Sequence, residues 1–313
     1  MKVLVTGGAG FIGSHVVETL LARGDEVVVI DDFNDYYDPA IKRRNLAASM
    51  QHPSFRLVEG DIRDRTLIED LLQREGFETI VHLAARAGVR PSLKDPVLYE
   101  TVNVTGLLNL MEASVKFGKP HFVFASSSSV YGLSPRLPWR EDDPVDCPIS
   151  PYAVTKRMGE LLCFNYSHIH QMDTVALRFF TVYGPRQRPD MAISKFTRAI
   201  LNGDPITVFG DGSALRDFTY VGDIVKGILA AVDRSFGFEI INLGGAQTIT
   251  VSALIEAISR VVGKEAKLIF QDPIPGDVPV TWADSSKAQR LLGNSPSTST
   301  EEGLRRYLDW LTA

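Results

Sequence analysis

A phenol and an ammonium stand one helical turn apart in SPYAVTKRMGELL, where Tyr152 and Lys156 are spaced i, i+4. On a helix that spacing puts both side chains on one face. A phenol has a pKa of about 10 and is a poor base at neutral pH unless a cation stabilises its phenolate. Lys156 is such a cation. A surface Tyr/Lys pair is the plain alternative, because YxxxK alone arises often by chance. Upstream, the apolar run HFVFA leads into SSSSVYG (126–132), four hydroxyls with no acid or base among them. Their composition is that of a linker, but the β-branched and aromatic run around them places them at a strand end.

A second group of residues is suited to phosphate. GGAGFIG (7–13) directly follows the first apolar run and opens a helical pattern. Gly7 permits a tight turn, Gly10 lets backbone approach a pyrophosphate, and Gly13 allows close helix–strand packing, with Phe11 and Ile12 between them. A glycine triplet by itself is only a strand-to-helix turn. Here Asp31 ends the second strand, 18 residues after Gly13, where a ribose hydroxyl needs a carboxylate. The combination predicts dinucleotide binding. Asp31 and Asp32 would repel a 2′-phosphate, which favours NAD over NADP. Arg43 and Arg44 are read as a solvated helix face. Asp61 and Ile62, after the third strand, are placed beside the adenine, with an ordinary turn as the alternative for Asp61. An oxidised nicotinamide ring would be a second cation for Tyr152.

The elements that must position these groups alternate. VLVT (3–6), EVVVID (26–31), FRLVEG (55–60), TIVHLA (79–84), HFVFAS (121–126) and TVALRFF (174–180) read as strands. Helical periodicity covers 12–22, 97–117 and 152–170. Near-continuous apolar strands alternating with helices predict a doubly wound parallel sheet covered on both faces. After Thr181 the pattern loosens into YGPRQRP, LNGDP, FGDGS and DPIPGD, with helices expected at 193–201, 221–232, 251–262 and 301–311. The fold class is therefore α/β, a Rossmann sheet with a smaller mixed α/β C-terminal part.

Composition narrows the setting. A chain of 313 residues can bury a sizeable core, and a formal net charge of −5 supplies no basic footprint for nucleic acid. No apolar stretch approaches the roughly 20 residues of a membrane span. Organised sequence from Lys2 onward leaves no basic leader, so a cytoplasmic protein is expected. Cys147 and Cys163 are the two cysteines, which suggests neither a disulfide framework nor a cysteine-based metal site.

In order along nearly the whole chain, TGGAGFIGSH, GDIRD, HLAA, SSSSVYG, YAVTK and RDFTYVGD resemble the nucleotide-sugar epimerase branch of the extended short-chain dehydrogenase/reductase superfamily. The resemblance implies that Tyr152 takes a sugar hydroxyl proton while hydride passes to enzyme-bound NAD, that Lys156 supports it, and that Ser127 bonds the reacting oxygen. It also implies cofactor contacts from Leu83, Ala84 and Ala85 of HLAA, and places Asn103 on a helix beside the site. Dehydrating or decarboxylating relatives carry an acid where Ser128 and Ser129 stand. Without that general acid, the 4-keto sugar turns over and is reduced from its other face. That is epimerisation, and it makes the serines site residues; for Ser126 a polar strand end remains a fair reading.

FNDYYDPAIKRRNL (33–46), HLAARAGVRPSL (82–93) and FFTVYGPRQRPDMAI (179–193) resemble UDP-glucuronate 4-epimerases more than galactose epimerases. By that resemblance Thr181 and Arg188 hold the substrate carboxylate, helped by Ser128 and Ser129; a surface salt bridge is the alternative for Arg188. A 4-keto glucuronate is a β-keto acid that loses CO2 when its carboxylate rotates freely, so a guanidinium clamp has a chemical purpose. Arg216 is implied at the diphosphate, Phe209 beside the uracil and Asp277 at the ribose. Arg86 replaces an expected glutamine, Arg186-Gln187 an expected Trp-Gly, and Thr281 a tyrosine that narrows the pocket of some galactose epimerases. Residues 1–179, with 214–247 returning, are assigned to NAD, and 180–213 with 248–313 to the UDP-sugar. A homodimer through helices 97–117 and 152–170 is expected, as in relatives. UDP-glucose/UDP-N-acetylglucosamine 4-epimerase, a net dehydrogenase and a non-catalytic NAD-binding regulator are the competing readings.

Overall fold

The computed structural model describes residues 1–245, 247–272 and 278–313. The chain divides into two compact units. The first comprises Met1–Leu133, Pro144–Arg178 and Val225–Ile241; the second comprises Ser134–Asp143, Phe179–Ile224 and Asn242–Ala313.

The six expected strands form as β1 (Lys2–Thr6), β2 (Glu26–Asp31), β3 (Phe55–Glu59), β4 (Thr79–His82), β5 (His121–Ser127) and β6 (Thr174–Phe179). With Phe238–Leu243 they make a seven-stranded sheet in the order Phe238–Leu243, β6, β5, β4, β1, β2, β3. β1 pairs in parallel with β2 and β4, β2 with β3, and β4 with β5. Strands β1, β2, β4 and β5 are buried along almost their whole length, which is why they read as apolar runs rather than alternations. Leu4, Val28 and Ile80 join Leu107, Met111 and Phe122 in one core cluster. Strand order reverses between β1 and β4. At such a switch point the connections diverge and leave a crevice outside the carboxyl ends of the strands. The architecture is the expected α/β doubly wound sheet.

Local chemistry sets the helix ends. Helix Phe11–Arg23 stops at Gly24, whose φ of 93° lets its N–H reach back to Leu21 O. Helix Pro151–His170 starts with Ser150, whose hydroxyl accepts the Ala153 N–H, and Pro151 occupies the first turn, where no N–H is needed. The single helix expected over 97–117 is instead Pro96–Glu100, a π-helical turn Thr101–Thr105, and Gly106–Lys116. The wide turn shifts the helical phase and buries Val102, Asn103 and Val104 together. β4 ends at His82, short of the expected Ala84, because the chain turns there to meet the phosphate loop.

The second unit holds a three-stranded sheet, Thr248–Thr250, Leu215–Tyr220 and Thr181–Tyr183, and a parallel pair, Pro205–Phe209 with Lys267–Gln271. None of these short strands is apparent from periodicity. Ile193, Leu254, Ile258, Leu304 and Tyr307 form its core. The helices expected there form as Ala192–Asn202, Val251–Val262 and Thr300–Thr312.

Candidate active site

The glycine loop closes on its neighbours too tightly for side chains. Gly7 has a φ of 69°, and a Cβ there would lie 2.7 Å from Ala84 N; a Cβ on Gly13 would lie 2.2 Å from Gly7 O. Backbone therefore lies against backbone, and helix Phe11–Arg23 begins without a side-chain cap. Its first N–H groups suit a pyrophosphate. Asp31 is buried, its carboxylate accepting the Ala9 and Phe33 N–H groups. Burial raises its pKa, while the backbone donors and Lys42 oppose the rise. This cradle fits NAD: a bare helix start for the diphosphate, and a fixed carboxylate for the ribose hydroxyls. Asp61 is gripped by Arg63 through Nε at 3.0 Å and Nη2 at 2.6 Å, and Ile62 lies beneath Gly106. Arg43 pairs with Glu59 on the surface, as its helix-face reading requires.

The loop after β4 is fixed from three sides. Leu83 N donates to Thr6 O, and Ala84 N to Thr6 Oγ1. Asn103, carried by the π turn, accepts Arg86 N at 2.7 Å and donates to Arg86 O and to Thr155 Oγ1, both at 3.0 Å. The wide turn thus points an amide at the loop and the helix of Tyr152 at once. Ala87 O accepts two phenols, Tyr36 at 2.9 Å and Tyr99 at 2.7 Å. Ala85, between these anchors, is half-buried.

Ser127, Tyr152 and Lys156 lie in this first unit. Tyr152 and Lys156 share a helix face, with the ammonium 5.9 Å from the centroid of the phenol ring. Tyr99 meets Tyr152 edge-on at 6.2 Å. Lys156 is buried and donates to Ala125 O at 2.7 Å, directly before the serine row. Burial pushes its pKa down to about 8, although nearby Glu160 favours the charged form. Ser127 Oγ accepts the Ser129 N–H and starts the turn Ser128–Tyr131. Ser129 Oγ is buried and has no hydrogen-bond partner among the described residues. Ser126 has a different task, donating to Glu160 Oε1 at 2.6 Å.

Sequence reading passed over Glu160 and Arg178. Each is 1% exposed, and Arg178 grips the carboxylate through Nε at 2.8 Å and Nη2 at 3.0 Å. The signal was an arginine inside the apolar strand TVALRFF, since a buried charge demands a partner.

In the second unit, Thr181 opens the strand Thr181–Tyr183 opposite Phe218. Arg188 is held by Asp190 in a two-point ion pair, Nε–Oδ1 at 2.9 Å and Nη2–Oδ2 at 3.0 Å. Arg216 Nη1 donates to Leu215 O and Pro279 O. Phe209 is 39% exposed and precedes Gly210 and Asp211, which line an open cavity with Phe270, Gln271 and Asp272. Thr281 is buried, its hydroxyl accepting the Asp217 N–H, so it serves strand packing. Arg186 adopts a φ of 66°, and Gln187 is buried. Asp277 lies outside the described residues.

Residues 3–244 match the model of the NAD dependent epimerase/dehydratase family. The chain belongs to this family. A UDP-glucuronate 4-epimerase of Thermodesulfobacterium geofontis is 45% identical over 309 residues, covering 98% of this chain and 95% of the relative. UDP-glucuronic acid 4-epimerase from Bacillus cereus, solved with UDP-glucuronic acid and NAD, superposes with a TM-score of 0.94 at 39% identity, covering 100% of this chain and 99% of that one. A UDP-glucose 4-epimerase from Thermotoga maritima, solved with UDP-glucose, gives 0.92 at 33% identity, covering 100% and 99%. Among the described residues no helix is long and apolar enough to cross a membrane, and no cluster of metal-ligating side chains occurs.

Proposed function

We propose that this protein is an NAD-dependent 4-epimerase that interconverts UDP-glucuronate and UDP-galacturonate. The observation that carries the reading is the buried Lys156 beneath the Tyr152 ring, beside a hydroxyl row with no carboxylic acid. Bound NAD supplies a reversible hydride acceptor at C4 of the sugar. Tyr152 removes the C4 hydroxyl proton, Lys156 stabilises the phenolate, and Ser127 bonds the reacting oxygen. Where Ser128 and Ser129 stand, no acid can protonate a leaving hydroxyl, so dehydration has no path. Thr181 and Arg188 hold the sugar carboxylate and prevent its loss as CO2. Tyr152 returns the proton when the sugar is reduced on its other face. The first unit holds NAD through Gly7–Gly13, Asp31, Asp61–Ile62, Leu83–Ala85 and Asn103. The second holds the UDP moiety through Phe209, Arg216 and Asp277. The setting is cytoplasmic carbohydrate metabolism.

The test is NMR of products from acid and neutral UDP-sugars supplied side by side. UDP-glucuronate is expected to turn over best. The Arg188–Asp190 pair favours a second reading, a 4-epimerase of neutral UDP-sugars, because an internal carboxylate already engages the proposed clamp. Faster turnover of UDP-glucose would select it. NAD is expected to co-purify and to persist through turnover. Protein released from denaturation without nucleotide, and strictly dependent on added NAD, would contradict this.

We also propose a homodimer. Val154, Met158 and Leu161 are exposed along one face of helix Pro151–His170, and Val97 is 69% exposed. Light scattering should give twice the chain mass, and Leu161→Glu should shift it to one chain. A wild-type monomer at micromolar concentration would overturn the proposal.

A further inference from the structure

The helix of Tyr152 carries a third polar residue on the same face. Tyr152, Lys156 and Glu160 follow at i, i+4 and i+8, a ladder running from the proposed base into the interior. Glu160 Oε1 accepts the Ser126 hydroxyl at 2.6 Å and Arg178 Nε at 2.8 Å; Oε2 accepts Arg178 Nη2 at 3.0 Å and Arg157 Nη1 at 3.1 Å. Arg178 also lies 4.7 Å from the ring centroid of Tyr131, at the end of the serine turn. One carboxylate therefore ties the end of β5, the helix, β6 and the serine turn together.

We propose that Glu160 is a positioning residue of the active site: bonded to Ser126 and Arg178 and one turn beyond Lys156, its carboxylate keeps the serine row in register with the helix and the ammonium beneath Tyr152 charged. The inference rests on Tyr152 and Lys156 serving as proposed above. A buried ion pair of this kind adds little net stability over apolar packing of equal volume, so stability alone gives no reason for it.

The other groups facing Lys156 do not compete for this role. His82, from β4, is buried with its pKa pushed down to about 3, so it is neutral in the working range. Thr6 Oγ1 accepts the Ala84 N–H and has its own proton for His82 Nδ1, 2.7 Å away. Burial pushes the Cys163 thiol up, so it too is neutral. From β5 come Ala125 O and the Phe124 ring, neither of which titrates. Glu160, with Arg157 and Arg178 behind it, is the charge that remains.

The sign follows. Removing the Glu160 charge takes away an interaction that favours ammonium, so Lys156 loses its proton at lower pH. The alkaline limb of the rate profile therefore moves to lower pH. With one opposite charge removed a helical turn away, that limb is expected to shift down by on the order of one pH unit.

The experiment compares pH profiles of kcat for wild type, Glu160→Gln, Glu160→Asp and Glu160→Gln/Arg178→Gln. The double variant leaves no buried guanidinium opposite the lost carboxylate, Arg157 being partly exposed, and so protects the test against a single variant that does not fold. The alkaline limb is expected to move down most in Glu160→Gln and by less in the double variant, because the Arg178 charge leaves with the carboxylate, while Glu160→Asp keeps its limb and loses height. An unmoved alkaline limb in the double variant, or an equal shift in Glu160→Asp, would overturn the proposal. Tyr152→Phe is assayed in parallel: activity in that variant would defeat the assignment of the base, whereas an inert Tyr152→Phe with an unmoved alkaline limb would defeat Glu160 alone.

Discussion

Tyr152→Phe is expected to reduce kcat by at least about three orders of magnitude while UDP-sugar binding survives. The substitution removes one oxygen and leaves the ring, which meets Tyr99 edge-on at 6.2 Å. Helix and loop geometry should persist, because the hydroxyls of Tyr36 and Tyr99 hold Ala87 O. What disappears is the group proposed to take and return the C4 hydroxyl proton. Calorimetry with UDP-glucuronate and single-turnover kinetics separate the two effects. A near-normal kcat would show that another group is the base.

Arg188→Ala is expected to lower kcat/KM for UDP-glucuronate by roughly ten- to a hundredfold and leave UDP-glucose almost unchanged. The estimate follows from the loss of one charge-assisted contact, about 1.5–3 kcal/mol. Asp190 grips Nε and Nη2 and so fixes the guanidinium plane, which limits the entropy lost when a sugar carboxylate arrives. A loosened carboxylate also lets more of the 4-keto sugar lose CO2, so a UDP-pentose side product should rise. Thr181→Ala should act in the same direction but less, because only a neutral donor is lost. Equal losses on acid and neutral sugars would show that Arg188 is structural or serves the diphosphate. The proposed base would be untouched by that result.

Much of the first unit is legible in the sequence because its signals are local. Buried parallel strands show as VLV and VVVID, the glycine loop as a spacing, and the Tyr152–Lys156 face as i, i+4. The π turn was not legible: one extra residue per turn leaves the apolar pattern of 97–117 intact while rotating Asn103 inward. Nor was the Glu160–Arg178 pair, whose partners are 18 residues apart on a helix and a strand. The short strands of the second unit escape because a run such as TVY or TIT is too brief to establish a period. For Arg188 the sequence leaves a carboxylate clamp and a surface salt bridge both open, and only coordinates show Asp190 on it.

The most direct measurement follows the hydrogen at C4. UDP-glucuronate bearing deuterium at C4 is incubated with the purified protein, without added NAD, and the products are examined by NMR. UDP-galacturonate that keeps deuterium at C4 is expected, because the same atom is removed and returned at one site. Deuterium lost to solvent, or solvent hydrogen entering the sugar ring during inversion, would contradict epimerisation by reversible oxidation at C4.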